Sequence, residues 1–329
     1  MDLARLELAI QRVRRAPDPG GLAFIAEFGE QANPHAGELV AGLMGHRNAD
    51  VRVFAARTVG LIQHAEARDA LVACLDDVVD WRLVLAAAES LGRLRAAKAI
   101  ESLERVSAAH WFPPVRDAAR KSIRVIRGED TFASEKSPRD SFFTFFDAWT
   151  RERNLLRPAL TQAPDELPPP VLVQRTFTSM EEGREAETLG RLVAKRRQPT
   201  CGLRVPGGFL LGLDRGEWRG TLAYQSEDAT QESFIAWDNI HGLHRVGSRI
   251  FAVTGLAHLG GNEGHLFLVE PRESTYAITP WRELPGAPEY SGWLPDGRLC
   301  IVCIGACVVV TLDGALQALE ASEAPLPPA

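Results

Sequence analysis

The residues with the most chemistry to offer lie in the last third of the chain. Cys300, Cys303 and Cys307 spell C-x2-C-x3-C, a spacing that thiolates use to hold zinc or an iron–sulfur cluster. Their surroundings argue otherwise. Ile301, Val302, Ile304, Val308, Val309 and Val310 make this apolar strand sequence, and on a strand Cys300 and Cys303 point to opposite faces. A chelating knuckle needs a turn between its cysteines, and none is encoded, so all three read as small buried hydrophobes. The histidines offer a second possibility. His241 and His244 form H-x2-H in WDNIHGLHRVG, while His258 and His265 flank a glycine-rich loop that carries Glu263. His241, His244, His258 and Glu263 form the candidate metal set, because a hydrolytic or oxygen-activating centre needs imidazoles and a carboxylate to converge. The competing expectation is that these histidines hydrogen-bond loop backbone in a compact β domain. HExxH is absent, Gly260, Gly261 and Gly264 lack phosphate-loop spacing, and no G-x-S-x-G elbow occurs. No cofactor is expected.

The elements that must position these residues are short strands. From Gly202 onward the chain alternates apolar segments with glycine turns such as Asp296-Gly297 and Asp313-Gly314, the pattern of antiparallel hairpins. LPDGRLCIVCIGACVVVTLDGALQAL reads as one meander and RVGSRIFAVTGLAHLGGNEGHLFLVE as another. Asp238-Asn239 and Glu217-Trp218 read as turn-capping residues. Ahead of them, EEGREAETLGRLVAKRRQ predicts one helix near residues 181–197, whose Lys195-Arg196-Arg197 end suits the negative end of its macrodipole. RPALTQAPDELPPPV, residues 157–171, is proline-rich without apolar period and reads as an extended linker or surface strap.

The first third carries a different rhythm. Val51, Leu83 and Val115 are spaced by 32 residues, as are Val59, Leu91 and Ile123, then Ile62, Leu94 and Ile126, and Leu39, Leu71 and Leu103; Ala55, Ala87 and Ala119 keep the same step. A fixed period of this size marks stacked helical pairs, each too small to bury its apolar face alone. Asn48 and Asp50 are cap residues before Val51, and Pro113-Pro114 stand where a later helix begins. Leu3, Leu6, Ile10 and Val13, then Phe24, Ile25 and Phe28, suit helices capping one end. The aromatic run Phe142, Phe143, Phe145, Phe146 and Trp149 suits the other end, as a contact with the next domain.

The motif D-V-R-x-x-A-A-x-x-V-G-x-I stands almost intact from Asp50 to Ile62 and more loosely from Arg82 to Leu94 and Pro114 to Ile126. Over residues 34–127 the chain resembles HEAT-like repeats of the short phycobilisome-lyase type. That resemblance implies an α-solenoid. The C-terminal half resembles β-propeller blades in rhythm alone, and its length suits about three blades, too few to close a ring. The expected fold is therefore α + β in two domains. Residues 1–156 form an N-terminal α-solenoid of HEAT-like helix pairs with caps, 157–171 a linker, and 172–329 an antiparallel β-rich domain, open and propeller-like or a sandwich.

Charge narrows the function. Residues 1–130 carry 18 basic and 18 acidic side chains, whereas residues 201–329 carry 8 and 15, a balance of −7. An acidic half repels phosphate backbones, so nucleic acid is an unfavoured partner. No apolar run reaches the length of a membrane span and the start lacks a signal-peptide core. Five cysteines, an odd number, do not make a disulfide framework, so the cytoplasm is the expected location. Arginine far outnumbers lysine, as in GC-rich bacterial genes. The expected function is non-enzymatic recognition of another protein, with Arg52, Arg57, Arg82, Arg93, Arg116 and Arg120 as candidate contacts on the second helices. A bacterial immunity or antitoxin-like protein, its acidic half masking a basic partner, is the specific form. Two alternatives remain: an enzyme or ligand-binding site at His241, His244, His258 and Glu263, and a nucleic-acid-binding array of the kind HEAT-like glycosylases resemble.

Overall fold

A computed structural model describes residues 3–132, 156–167, 199–258, 261–273 and 275–319. The aromatic run at 142–149 and the expected helix at 181–197 lie outside them. The chain divides into two compact units, Met1–Ala148 and Trp149–Ala329.

The first unit is helical: α1 (Leu3–Arg15), α2 (Pro19–Ala26), α3 (Asn33–Gly42), α4 (Ala49–Leu61), α5 (Arg68–Cys74), α6 (Trp81–Arg93), α7 (Ile100–Ala109) and α8 (Pro113–Arg127). Successive helices pair, and α2, α4, α6 and α8 stack on one another as a continuous layer. Local chemistry sets each start. Asp18, Asn48 and Asp80 accept hydrogen bonds from the first-turn amides of α2, α4 and α6, groups that have no partner inside the helix. Prolines open α8, and Gly128, in the left-handed region at φ 81°, ends it. The stacking layer is close-packed at small residues that repeat. A Cβ on Gly60 would stand 2.4 Å from Ser90 Oγ, and one on Gly92 would stand 2.7 Å from Ser122 Oγ. Gly60/Gly92 and Ser90/Ser122 hold the same places in successive repeats.

Two details of the apolar pattern differ from expectation. In α1 the buried stripe is Leu6, Ala9, Ile10 and Val13, whereas Leu3 is 55% exposed. In α3 the buried position is Val40, with Leu39 only partly covered. In α1 the expected face is kept and only Leu3, in the first turn, falls outside it; in α3 the face is shifted by one position.

The second unit holds three antiparallel sheets. The first joins β1 (Glu166–Leu167), β2 (Cys201–Val205), β3 (Gly208–Leu213), β4 (Thr221–Ser226) and β5 (Glu232–Ala236). The second is the meander β6 (Ile240–Val246), β7 (Arg249–His258), β8 (Gly261–Arg272) and β9 (Thr275–Glu283); the third is β10 (Pro288–Trp293), β11 (Leu299–Cys303), β12 (Cys307–Val310) and β13 (Leu316–Ala318). Among the described residues the sheets do not join into a closed barrel. Leu203, Leu210 and Leu222 of the first sheet share a core with Leu243, Ala252 and Val269 of the second.

The segment read as a linker is built into this unit. β1 pairs with β2 through Glu166↔Leu203 and Leu167↔Gly202. Thr161 and Trp293 exchange both backbone hydrogen bonds, at 3.0 and 2.8 Å. Proline discourages helix but leaves an extended chain free to lie along a sheet edge, and residues 161–167 of the proline-rich stretch do so.

Candidate functional site

Each sheet of the second unit supplies one strand to a polar cluster. Glu166 stands on β1, His244 on β6, and Ser291 and Trp293 on β10. His244 Nδ1 lies 2.6 Å from Glu166 Oε1, and its Nε2 lies 2.7 Å from Ser291 Oγ. The Trp293 indole donates to Glu166 Oε1 at 2.7 Å, and the Ala163 amide donates to Oε2 at 2.9 Å. His244 is 4% exposed and Glu166 8%, so a charge here survives only with full hydrogen bonding. Burial by itself would raise the Glu166 carboxyl; the hydrogen bonds from His244, Trp293 and the Ala163 amide outweigh it and hold the group below the ordinary glutamate value. Glu166 is thus ionised and only accepts. Nδ1 of His244 therefore donates to it, and Nε2 faces the Ser291 hydroxyl.

The other candidate residues do not gather around His244. His241 is three residues away on β6, but its Nε2 donates to the Gly255 carbonyl at 3.0 Å and its Nδ1 faces Asp214 at 3.5 Å. His258 pairs with Glu217 at 3.2 Å. Glu263 is exposed on β8, opposite Leu256, and His265 pairs with Glu283 at 2.9 Å. Among the described residues no group of three or more His, Cys, Asp or Glu side chains is placed to hold a metal ion. The cysteines are core. Cys300 and Cys307 share an apolar cluster with Val302 and Val309, and burial pushes the Cys303 thiol well above its ordinary value. Asn239 does cap a turn, accepting from the Arg215 amide and donating to the Gly216 carbonyl.

In the helical unit the six arginines all have intramolecular partners. Arg57 is 6% exposed and bonds Glu89 at 3.1 Å. Arg82 bridges Asp80 and Asp50, each at 3.0 Å. Arg93 lies over the Phe132 ring. Arg52 donates to the His46 and Arg47 carbonyls, and Arg116 to those of His110 and Trp111. Arg120 bonds Asp117 and the Ser107 carbonyl. Arg57–Glu89 and Asp50–Arg82 each join positions 32 residues apart, so they tie one repeat to the next. The second helices α4 and α6 are buried along almost their whole length, while Arg68, Asp69, Glu101, Glu104 and Arg105 on α5 and α7 are exposed. The accessible side chains of the array therefore sit mainly on the first helix of each pair.

Sequence reasoning singled out His244 but neither Glu166 nor Ser291. They are 78 and 47 residues from it, in no common motif, one inside a proline-rich stretch and the other in an unremarkable strand. The one local signal is polar placement: Glu166 stands where an extended strap turns inward, and Ser291 and Trp293 alternate on one face of their strand.

Residues 37–124 match the family model for HEAT repeats, a segment that runs through α3 to α8. No curated protein matches the chain.

Proposed function

We propose that the protein is a recognition protein that docks another protein on its HEAT-like array. The observation that carries this reading is the array itself: successive helix pairs in residues 37–124 whose first helices carry exposed polar side chains. HEAT repeats generally mediate protein–protein interaction, and solenoids do so because stacking extends one continuous surface. The docking side in this proposal is the α3–α5–α7 side, since α4 and α6 are buried along almost their whole length. The acidic balance of residues 201–329 favours a basic partner, and an immunity or antitoxin-like role is the specific form of that idea. The D-V-R-x-x-A-A-x-x-V-G-x-I motif is what the likeness to short, lyase-type repeats rests on, and the rhythm of short strands and glycine turns is what the likeness to propeller blades rests on; neither adds a substrate.

The experiment is capture of partners by the full chain from its native cell, followed by chemical cross-linking and peptide mapping. Cross-links from the captured protein to α5 and α7, lost in D69K/E101K, support the reading. A captured protein whose cross-links avoid the helices, or whose capture is unchanged by that double substitution, ends it.

A further inference from the structure

The polar cluster of the β-rich unit has an order of groups that recognition does not require. Serine hydroxyl, imidazole and carboxylate lie in one line, Ser291 Oγ to Nε2 and Glu166 Oε1 to Nδ1 of the same His244 ring. The carboxylate cannot swing away, because Trp293 and the Ala163 amide hold its two oxygens separately. The ring packs edge-on against Trp293, at 83° and 6.4 Å between centroids. Nothing but glycine is accommodated beside the serine–imidazole pair: a Cβ on Gly242 would stand 2.4 Å from Oγ and 2.5 Å from Nε2. His244 and Glu166 are buried, whereas Ser291 keeps partial exposure. These are the relations by which a nucleophile, its general base and the group that orients the base are recognised, whatever their order along the chain.

We propose that Ser291 is the nucleophile of an acyl-transfer centre acting on small activated esters, with His244 as its general base and Glu166 as the positioning residue. The proposal goes beyond the docking role and uses none of the helical unit. As Oγ bonds to the acyl carbon, its proton passes to Nε2. The bond from that carbon to the ester oxygen breaks, and the departing alcohol takes the proton from Nε2. Water then attacks the acyl-serine and gives a proton to Nε2; the proton returns to Oγ as the carboxylic acid leaves. Glu166 keeps the Nδ1–H tautomer throughout and stabilises the imidazolium that forms twice per turnover.

The test uses the full-length protein and two probes, a fluorophosphonate and p-nitrophenyl acetate. The wild-type chain should carry the phosphonyl adduct on the Ser291 peptide and hydrolyse the ester, and S291A should lose both. E166Q, checked for an unchanged circular dichroism spectrum, should lower kcat by about 100-fold with KM unaltered, the scale of a general base deprived of its orienting group. The wild-type measurement stands without any variant: a folded protein that takes no adduct at Ser291 overturns the proposal. So does a folded E166Q that labels and turns over at the wild-type rate, since the line of hydrogen bonds then serves only to pin three strands together. Because the helical array takes no part, loss of partner docking in D69K/E101K with labelling intact would fault only the docking role.

Discussion

Two carboxylates of the β-rich unit, Glu166 buried and Glu232 half-buried, have opposite consequences. Glu166, held below the ordinary glutamate value by its three donors, contributes stability that is complete above about pH 4.5 and drains away as acid protonates the folded protein. Melting temperature should therefore fall below that pH, and E166Q should be less stable at neutral pH by about 3 kcal/mol, the cost of leaving a buried partner unmatched. Glu232 on β5 has one carboxylate oxygen buried without a partner, and burial raises its pKa to about 7. A raised carboxyl penalises folding once it ionises: the penalty is absent below the unfolded value near 4.5, grows as pH rises, and is complete above 7. E232Q should thus stabilise the protein at pH 8 by about 1–2 kcal/mol, allowing for partial exposure, and leave it unchanged at pH 4. Equal gains at both pH values would show that the carboxyl is not the cause. The buried thiols of Cys300, Cys303 and Cys307 should resist iodoacetamide until the unit unfolds. Their core role was legible from the valines around them. His244 was legible as a candidate, but its partners were not, because a cluster drawn from three sheets leaves no spacing to read.

At the scale of elements, the 32-residue period was enough to place the helix pairs, since apolar period, caps and small residues all point the same way. The period did not show which helices remain accessible. Arg57 and Arg82 on α4 and α6 look like contact residues in a linear reading, yet they reach along the stack to Glu89 and Asp50, a use that depends on the neighbouring repeat. The repeated glycine–serine contact separates a bonded hydroxyl from an unbonded one. Ser90 Oγ donates to the Ala56 carbonyl at 2.7 Å, whereas buried Ser122 Oγ has no partner. S90A should cost about 1 kcal/mol in chemical denaturation, and S122A should be neutral or mildly stabilising. G60A should cost more than S90A, because the added methyl meets the Ser90 backbone at 2.7 Å and the helices cannot stay as close. In the β-rich unit the hairpins were legible from their turns, Gly297 and Gly314 both lying at φ 83° as such turns demand. β1 was not: two residues from a proline-rich stretch pair with a strand more than thirty residues later.

At the scale of the whole molecule, charge divides as the two units do. Docking of a basic partner should weaken by roughly tenfold or more between 50 and 500 mM salt, chiefly through slower association in the field of the acidic unit; affinity indifferent to salt would point to an apolar interface instead. The units also differ in how their contacts are spread along the chain. Each helix pair meets the next within a few tens of residues. Glu166 instead joins His244 and Trp293, 78 and 127 residues away, and Thr161 is bridged to Trp293. A ribosome making this protein can therefore release finished helical layers one after another, while the acidic strap emerges early and waits. Until β10 has left the exit tunnel, Glu166 can meet the His244 imidazole but lacks the Trp293 indole, and the three sheets have no shared fastening. A chain broken off before Trp293 thus carries its own mark of incompleteness, a carboxylate short of one donor at the place where the finished molecule is dry.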